Sequence, residues 1–295
     1  MIVDVHVHVG ELGKNFQKWW IDEMYGGFPN IPDKTVRERK EPLEGVIDDL
    51  NRAGVDVACI MASDHRRVYP YASGSSYTPN DYVYDCVRKH PDRFVGICSV
   101  DPIRHEHEAR KELERCVKDW DMRALKLYPT YDHFDPRDER IYPIYEKCIE
   151  LDLPVHFHMG YTGTVNAPMK YQLPYMLDDV GIKFPEMKVV VAHLGFPWVD
   201  ECLALLMKHR HWCADIAYWG AFPPEVLIEA MKKFEYMCGF DRLLYGSENP
   251  WTATFTKTVL NVNKLAEELG IRFRIKDADL KKVMGENACK VYRIK

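Results

Sequence analysis

Eight short runs of apolar and β-branched residues recur along the chain, and most intervals between them carry helical spacing. The runs are IVDVHVHV, VDVACIMA, FVGICSVD, RALKLY, PVHFHM, KVVVAHL, HWCADIAY and RLLYGS. Amphipathic helices are expected at 43–53, 104–119, 138–151, 197–209, 222–237 and 253–269, with less regular patterns at 80–90 and 169–184. Leu43, Val46, Ile47 and Leu50 repeat at helical spacing, and Gly54 suits a helix end. Alternating strand and helix forces parallel strands, because each crossover returns the chain to the same end of the sheet. Eight such units predict an α/β fold of the TIM (β/α)8 barrel class, one domain over residues 1–295. No G-x-G-x-x-G or G-x-x-x-x-G-K follows a strand, which removes the main support for an open nucleotide-binding sheet. The last stretch, DADLKKVMGENACKVYRI, reads as a closing helix and tail on the outside of the barrel.

Charge and cysteine content narrow the function. Hydrophobic residues are 46% and charged residues 29%, the balance of a soluble globular chain. A formal net charge of -5 argues against a nucleic-acid or anionic-membrane partner, and a small-molecule substrate is expected instead. No apolar run approaches the roughly 20 residues of a membrane span, and no leader of the secretory kind is expected. The nine cysteines include no C-x-x-C pair and read as free thiols in a reducing cytosol, so the expected location is cytoplasmic. A homodimer is the oligomeric expectation. The long segment 11–42, with NFQKWWIDEMYGGFPN within it, follows the first strand and is expected to form a lid over the C-terminal mouth. The stretch from His65 to Asn80 is similar in kind.

The first strand carries Asp4, His6 and His8 between valines. Alternate strand residues point to opposite faces, so the valines are expected on the helical ring and the polar residues inside the barrel. Polar groups there are costly unless paired or ligated. His156 and His158 alternate inward on PVHFHMG, His193 ends a β-branched run, and Glu248 ends the eighth strand. His6, His8, His158, His193 and Glu248 thus fall at strand C-termini, where barrel active sites are built. Such a convergence of imidazoles and a carboxylate points to a metal site.

These residues resemble a known family. DVHVH at 4–8, PDRFVGICSVDP at 91–102, LKLYPTYDHFDPRDERIYPIYEKC at 125–148, LPVHFHMG at 153–160, VVVAHLGFPW at 189–198, LLYGSENPW at 243–251 and ENACKVYRI at 286–294 carry the likeness. The chain resembles the amidohydrolase superfamily, in particular the amidohydrolase-related branch that includes aminocarboxymuconate semialdehyde decarboxylase. The resemblance implies His6, His8 and His158 as metal ligands. It implies His193 as the acid/base or carbonyl-polarising residue. His156, two residues deeper than His158, is expected to support the site or to pack. The family normally has Gly-Ser/Thr-Asp at the eighth strand, with the Asp at the metal. Here Glu248 keeps the carboxylate and adds a methylene, so ligation, general-base work or both are open to it. Lys126 lies where some relatives carry a carbamylated lysine; as a plain ammonium it is a point charge for a carboxylate.

Three neutral histidines and a carboxylate imply one divalent metal ion, zinc by default, with manganese or iron as alternatives. Such an ion activates water and polarises carbonyls. The main expectation is a metal-dependent hydrolase acting on an amide, lactone or ester of a small planar or carboxylated substrate. Its catalytic residues are His193 and Glu248. The alternative is a metal-dependent decarboxylase of an unsaturated or aromatic carboxylic acid. A third reading, ranked last, is a non-catalytic barrel with a decayed metal site. Arg66 or Arg67 would hold a substrate carboxylate, and Tyr128 is a further polar strand-end residue. Trp251, with Trp19, Trp20, Tyr25, Phe28 and Trp219, hints at a planar ligand.

Overall fold

Eight parallel strands follow one another around a single sheet in chain order. They are β1 (Val3–His8), β2 (Val57–Met61), β3 (Phe94–Ser99), β4 (Leu125–Leu127), β5 (Val155–Phe157), β6 (Val189–Val191), β7 (Cys213–Asp215) and β8 (Leu243–Leu244). The sheet closes on itself. Val5 N donates to Tyr245 O at 3.0 Å, and Glu248 N donates to His6 O at 2.9 Å. The Asn249 side chain clamps the same seam, accepting from His8 N and donating to His8 O, each at 3.1 Å. The chain is therefore a TIM barrel, seen in a computed structural model that describes residues 1–25, 42–68, 76–103, 106–249 and 251–295.

Helices separate the strands. After β1 come α1 (Lys18–Tyr25) and α2 (Pro42–Ala53); after β2, α3 (Asn80–Lys89); after β3, α4 (Glu106–Lys118). Next are α5 (Tyr142–Glu150), α6 (Met176–Lys183), α7 (Val199–Lys208) and α8 (Pro224–Cys238). The helix expected at 253–269 is two, α9 (Thr252–Leu260) and α10 (Val262–Glu268), broken at Asn261, whose amide donates back to Lys257 O at 2.8 Å. In α2, Leu43, Val46 and Leu50 are buried on the face that the spacing predicts, and Gly54 takes the positive φ of 70° that ends the helix. Much of the expected lid segment 11–42, including Phe28, lies outside the described residues, as do 69–75 of the second long loop.

Strand residues of alternating parity fall into two cores. The larger includes Ala58, Ile60, Leu125, Leu127, Val155, Phe157, Val189 and Val191 together with helix residues such as Leu113, Ile144 and Leu203. The smaller is the barrel interior: Val57, Cys59, Met61, Ile97, Val190 and Leu244, with Ala288 and Tyr292 of the C-terminal segment. Val7 and Val9 join the outer core as expected. Val3 and Val5 do not; they belong to the inner cluster, beyond a register shift between Asp4 and Val7.

The C-terminal segment also departs from expectation. It comprises α11 (Asp277–Lys281), one π turn (Lys282–Glu286) and α12 (Asn287–Tyr292). It closes the N-terminal end of the barrel instead of lying on its outside. A Cβ at Gly285 would sit 2.3 Å from Met1 O, and the Asn287 amide donates to Phe240 O and Leu243 O at 2.7 and 2.9 Å. Tyr292 is fully buried, and its hydroxyl reaches the inward His156 Nδ1 at 3.2 Å. Strands β4 to β7 are only three residues each, so the interior needs a large side chain from below to fill it.

Tyr292→Ala is therefore expected to cost about 3–5 kcal/mol, the range for emptying an aromatic site in a core. Tyr292→Phe should cost about 1 kcal/mol, for one hydrogen bond. Equilibrium urea unfolding measures both; equal and small losses would show that the ring does not plug the barrel.

Candidate active site

The mouth of the barrel gathers the polar residues of the strand ends. Ligand-type atoms of His6, His8 and Glu248 all lie within 4.8 Å of one another, as do those of His6, His193 and Asp215. His8 Nε2 stands 3.8 Å from Glu248 Oε1, and His193 Nδ1 stands 3.1 Å from Glu248 Oε2. The second approach is not a hydrogen bond, since Nδ1 is aligned with Ala217 O at 3.1 Å. His193, Leu194, Tyr218 and Glu248 all take positive φ, between 48° and 72°, so the strand ends turn sharply at the site. A Cβ at Gly160, φ 105°, would sit 2.6 Å from Phe196 O, so only glycine lets the His158 and His193 loops meet.

Hydrogen bonds assign the free nitrogens. His6 Nδ1 donates to Asp215 Oδ2 at 3.1 Å. His193 Nδ1 donates to Ala217 O, so its Nε2 accepts from His158 Nδ1 at 3.1 Å. That leaves His6 Nε2 and His158 Nε2, with Glu248 Oε2, buried and without a hydrogen-bond partner among the described residues. Unsatisfied buried atoms are costly, and one nitrogen fixed with the other free is the usual state of a metal-binding imidazole. The residues present fit a metal ion, with ligand atoms of His6, His8 and Glu248 within 4.8 Å of one another. His158 is outside the two close groups and joins the cluster through His193. His156 has no nitrogen to offer: Nε2 meets Asp215 Oδ2 at 2.6 Å, and Nδ1 meets the Tyr292 hydroxyl.

Electrostatics support the same assignment. Burial, then the charge of Lys126, pushes His6 well below its ordinary pKa and His8 down to about 3. Burial also lowers His193 to about 3 and His158 well below its usual value. All four are neutral imidazoles at pH 7. Burial raises Glu248 to about 8 and Asp4 to about 7, the mark of carboxylates short of a cation. Lys126 is fully buried, its Nζ without a hydrogen-bond partner among the described residues, and burial lowers it to about 8.

Asp215 is the site residue that the sequence reading misses. Its carboxylate accepts from His6, from His156, from His193 N at 2.9 Å and from Ala217 N at 2.9 Å. Burial alone would raise its pKa, but His6 and His156 hold it well below the carboxylate range. The available signal was alternation within HWCADIAY, which puts Asp215 on the same face as Cys213.

The residues expected to bind substrate are differently placed. Arg66 is forked onto Asp64 by two 2.6 Å bonds and lies 3.6 Å above the Tyr77 ring. Arg67 donates to Asp101 Oδ2 at 2.7 Å and to Asp132 O. Both forks are engaged by the protein itself. Tyr128 is buried beside His65 and His158, its hydroxyl on Ala62 O at 2.9 Å. Trp251 is fully buried, edge-on to Tyr218 at 5.5 Å. Helix α1 spans the mouth: Trp20 stacks on His65, Glu23 O packs against Gly163, and the Tyr218 hydroxyl donates to Met24 O at 3.1 Å. The nine cysteines are free, and no helix among the described residues is long and apolar enough to cross a membrane.

Comparison with known proteins places this geometry in context. The family model described as Amidohydrolase matches residues 3–294. A 2-keto-4-carboxy-3-hexenedioate hydratase of Sphingobium sp. is 26% identical over 75% of this chain and 68% of its own length. A 2-amino-3-carboxymuconate-6-semialdehyde decarboxylase of Dictyostelium discoideum is 22% identical over 84% of this chain and 81% of its own. Among solved structures, a dihydroxybenzoic acid decarboxylase of Polaromonas sp., with bound manganese and 2-nitroresorcinol, superimposes with a TM-score of 0.66. It is 16% identical, with 99% of this chain and 97% of that one covered.

Protein purified without chelators is expected to carry about one divalent metal ion per chain by inductively coupled plasma mass spectrometry. His6→Ala and Glu248→Gln should lose it, and Asp215→Asn should weaken metal affinity by about 10–100-fold, as loss of an orienting partner does. Undiminished metal in His6→Ala would sink the assignment.

Proposed function

The chain belongs to the amidohydrolase family, and from that premise we propose that it is a metal-dependent decarboxylase of a small unsaturated or aromatic carboxylic acid. The observation that carries the reading is the close group of His6, His8 and Glu248, with buried unpartnered atoms on His6 and Glu248, next to His158 and the Tyr128 and Tyr131 rings that line it. The Dictyostelium and Polaromonas relatives support the decarboxylase alternative better than the hydrolytic main expectation. Hydration of a similar acid is the second reading, favoured by the Sphingobium hydratase.

His6, His8, His158 and Glu248 would hold one divalent ion. Zinc is the sequence-based default, and the manganese in the Polaromonas structure supports manganese equally. When bound, the ion polarises an oxygen of the substrate and offsets its negative charge. The protein's own groups do the rest. Tyr128 and Tyr131 lie against His158, their ring centroids 6.5 and 4.8 Å away, and offer flat faces for a planar acid. Lys126 adds a buried positive charge that favours an anion at the mouth. His193, neutral and fixed by Ala217 O, orients His158. Helix α1 covers the mouth and would keep water from the carbanion-like centre.

The test is a substrate panel on protein loaded with manganese or zinc. Release of carbon dioxide from muconate-like or hydroxybenzoic acids is expected, with amides and lactones left intact. Loss of the ultraviolet absorbance of an unsaturated keto acid, without carbon dioxide, would favour hydration. Cleavage of an amide or lactone alone would restore the hydrolytic reading.

A further inference from the structure

We infer that His65, oriented by Asp132, is the residue that exchanges a proton with the substrate carbon. The inference rests on the proposed reaction and names a group that neither the family resemblance nor the metal cluster assigns. His65 stands just beyond β2, and Asp132 lies in the loop after β4. Their side chains, each only 2% exposed, meet at 2.7 Å between Nδ1 and Oδ1. Arg67 ties the Asp132 backbone to Asp101: one nitrogen donates to Asp132 O and another to Asp101 Oδ2.

A carboxylate on Nδ1 keeps the proton there, so the neutral ring presents an Nε2 lone pair and the cation presents an Nε2 proton. That Nε2 has no partner among the described residues. The other imidazoles at the mouth are committed. His6 and His158 have their remaining nitrogens at the metal cluster, and His8 faces Glu248. His193 lies between Ala217 O and His158, and His156 between Asp215 and Tyr292. Among the described residues, His65 combines a carboxylate-held Nδ1 with an Nε2 that neither a hydrogen bond nor the metal cluster uses.

Its surroundings place it at the site. The ring is edge-on to Tyr128 at 4.7 Å and 5.2 Å from Tyr131, the two rings that also line His158. From above, Trp20 of α1 stacks on it at 5.5 Å and 18°. A buried ion-pairing couple of this kind is a poor device for stability alone, since apolar side chains of the same volume serve as well or better.

The chemistry balances. Decarboxylation breaks the bond between the substrate carbon and its carboxylate, and the electron pair stays on the carbon. Carbon dioxide leaves, the Nε2 proton of cationic His65 forms the new C–H bond, and neutral His65 regains a proton from solvent. Asp132 stabilises the cationic ring before transfer. Hydration uses the same transfer: the water oxygen bonds one carbon, the His65 proton goes to the neighbouring carbon, and the proton that the water sheds passes to solvent, from which His65 is reprotonated.

His65→Gln and Asp132→Asn test the inference on the metal-loaded, full-length protein, with the best acid of the panel. His65→Gln should lower kcat by about 100- to 10,000-fold, the usual yield of a positioned acid or base. KM and metal content should stay close to wild type. Uptake of deuterium from D2O at the product carbon, measured by mass spectrometry, should vanish with kcat. Asp132→Asn should show the same pattern more weakly; it preserves volume and keeps the test decisive if His65→Gln does not fold. Turnover and exchange within about threefold of wild type, at full metal, would overturn the role of the pair, being far short of an acid/base effect. Absence of turnover in wild type on every acid would overturn the proposed function and this inference with it.

Discussion

One buried carboxylate holds the interior together. Asp215 is inaccessible to solvent, and a charge in that position is tolerable only with its lone pairs filled. Four donors fill them: His6 from β1, His156 from β5, and the backbone of His193 and Ala217 after β6 and β7. The same contacts fix which nitrogen of His6 is free. From His156 the chain of bonds continues to the Tyr292 hydroxyl at the opposite end of the barrel. Packing at the bottom and ligand orientation at the mouth are thus joined by one line of hydrogen bonds: Tyr292, His156, Asp215, His6. Removing a partner from such a line leaves a charge or a lone pair stranded, which costs more than the bond itself gains.

The mouth is built from strained backbone. His193, Leu194, Tyr218 and Glu248 sit in the left-handed region, a conformation that costs about 1–3 kcal/mol for each non-glycine residue. Each neighbourhood carries bonds that oppose relaxation. Glu248 N is held by His6 O, His193 N by Asp215, and His193 O accepts from Trp219 Nε1 at 2.8 Å. Because Glu248 is tied to His6 through the backbone, its longer side chain works from a fixed origin. The added methylene therefore reaches towards both His8 and His193, with oxygens at 3.8 and 3.1 Å, instead of being absorbed by a moving loop.

The periodic part of the sequence was legible, and the pairings were not. Alternation along VDVHVH put His6 inside, and the β-branched run before His193 placed that residue at a strand end. These inferences need only local geometry. Asp215 escaped because one acid within HWCADIAY does not reveal that its donors come from residues 209 and 59 positions away. His65 and Asp132 are 67 positions apart, and neither neighbourhood has a motif that names the other. The arginines failed for a related reason: Arg66 and Arg67 look free in sequence, whereas Asp64 and Asp101 are their partners in space. Tyr292 was read as outer surface because an amphipathic tail looks the same whether it lies along a barrel or stops its end.

Charge sets the last constraint. Among the described residues, the interior holds Asp4, Asp215 and Glu248 against one fully buried ammonium, Lys126, while burial keeps His6, His8, His158 and His193 neutral. Hydrogen bonds satisfy Asp215, but Asp4 and Glu248 remain raised to about 7 and about 8. A divalent cation among His6, His8 and Glu248 would return Glu248 to its charged form by direct opposition of charge. Protonation would relieve that carboxylate too, but it would leave the free nitrogens of His6 and His158 buried and empty. Only a cation that accepts lone pairs satisfies the carboxylate and the imidazoles together, which is why the metal reading follows from the same bonds that hold the barrel closed.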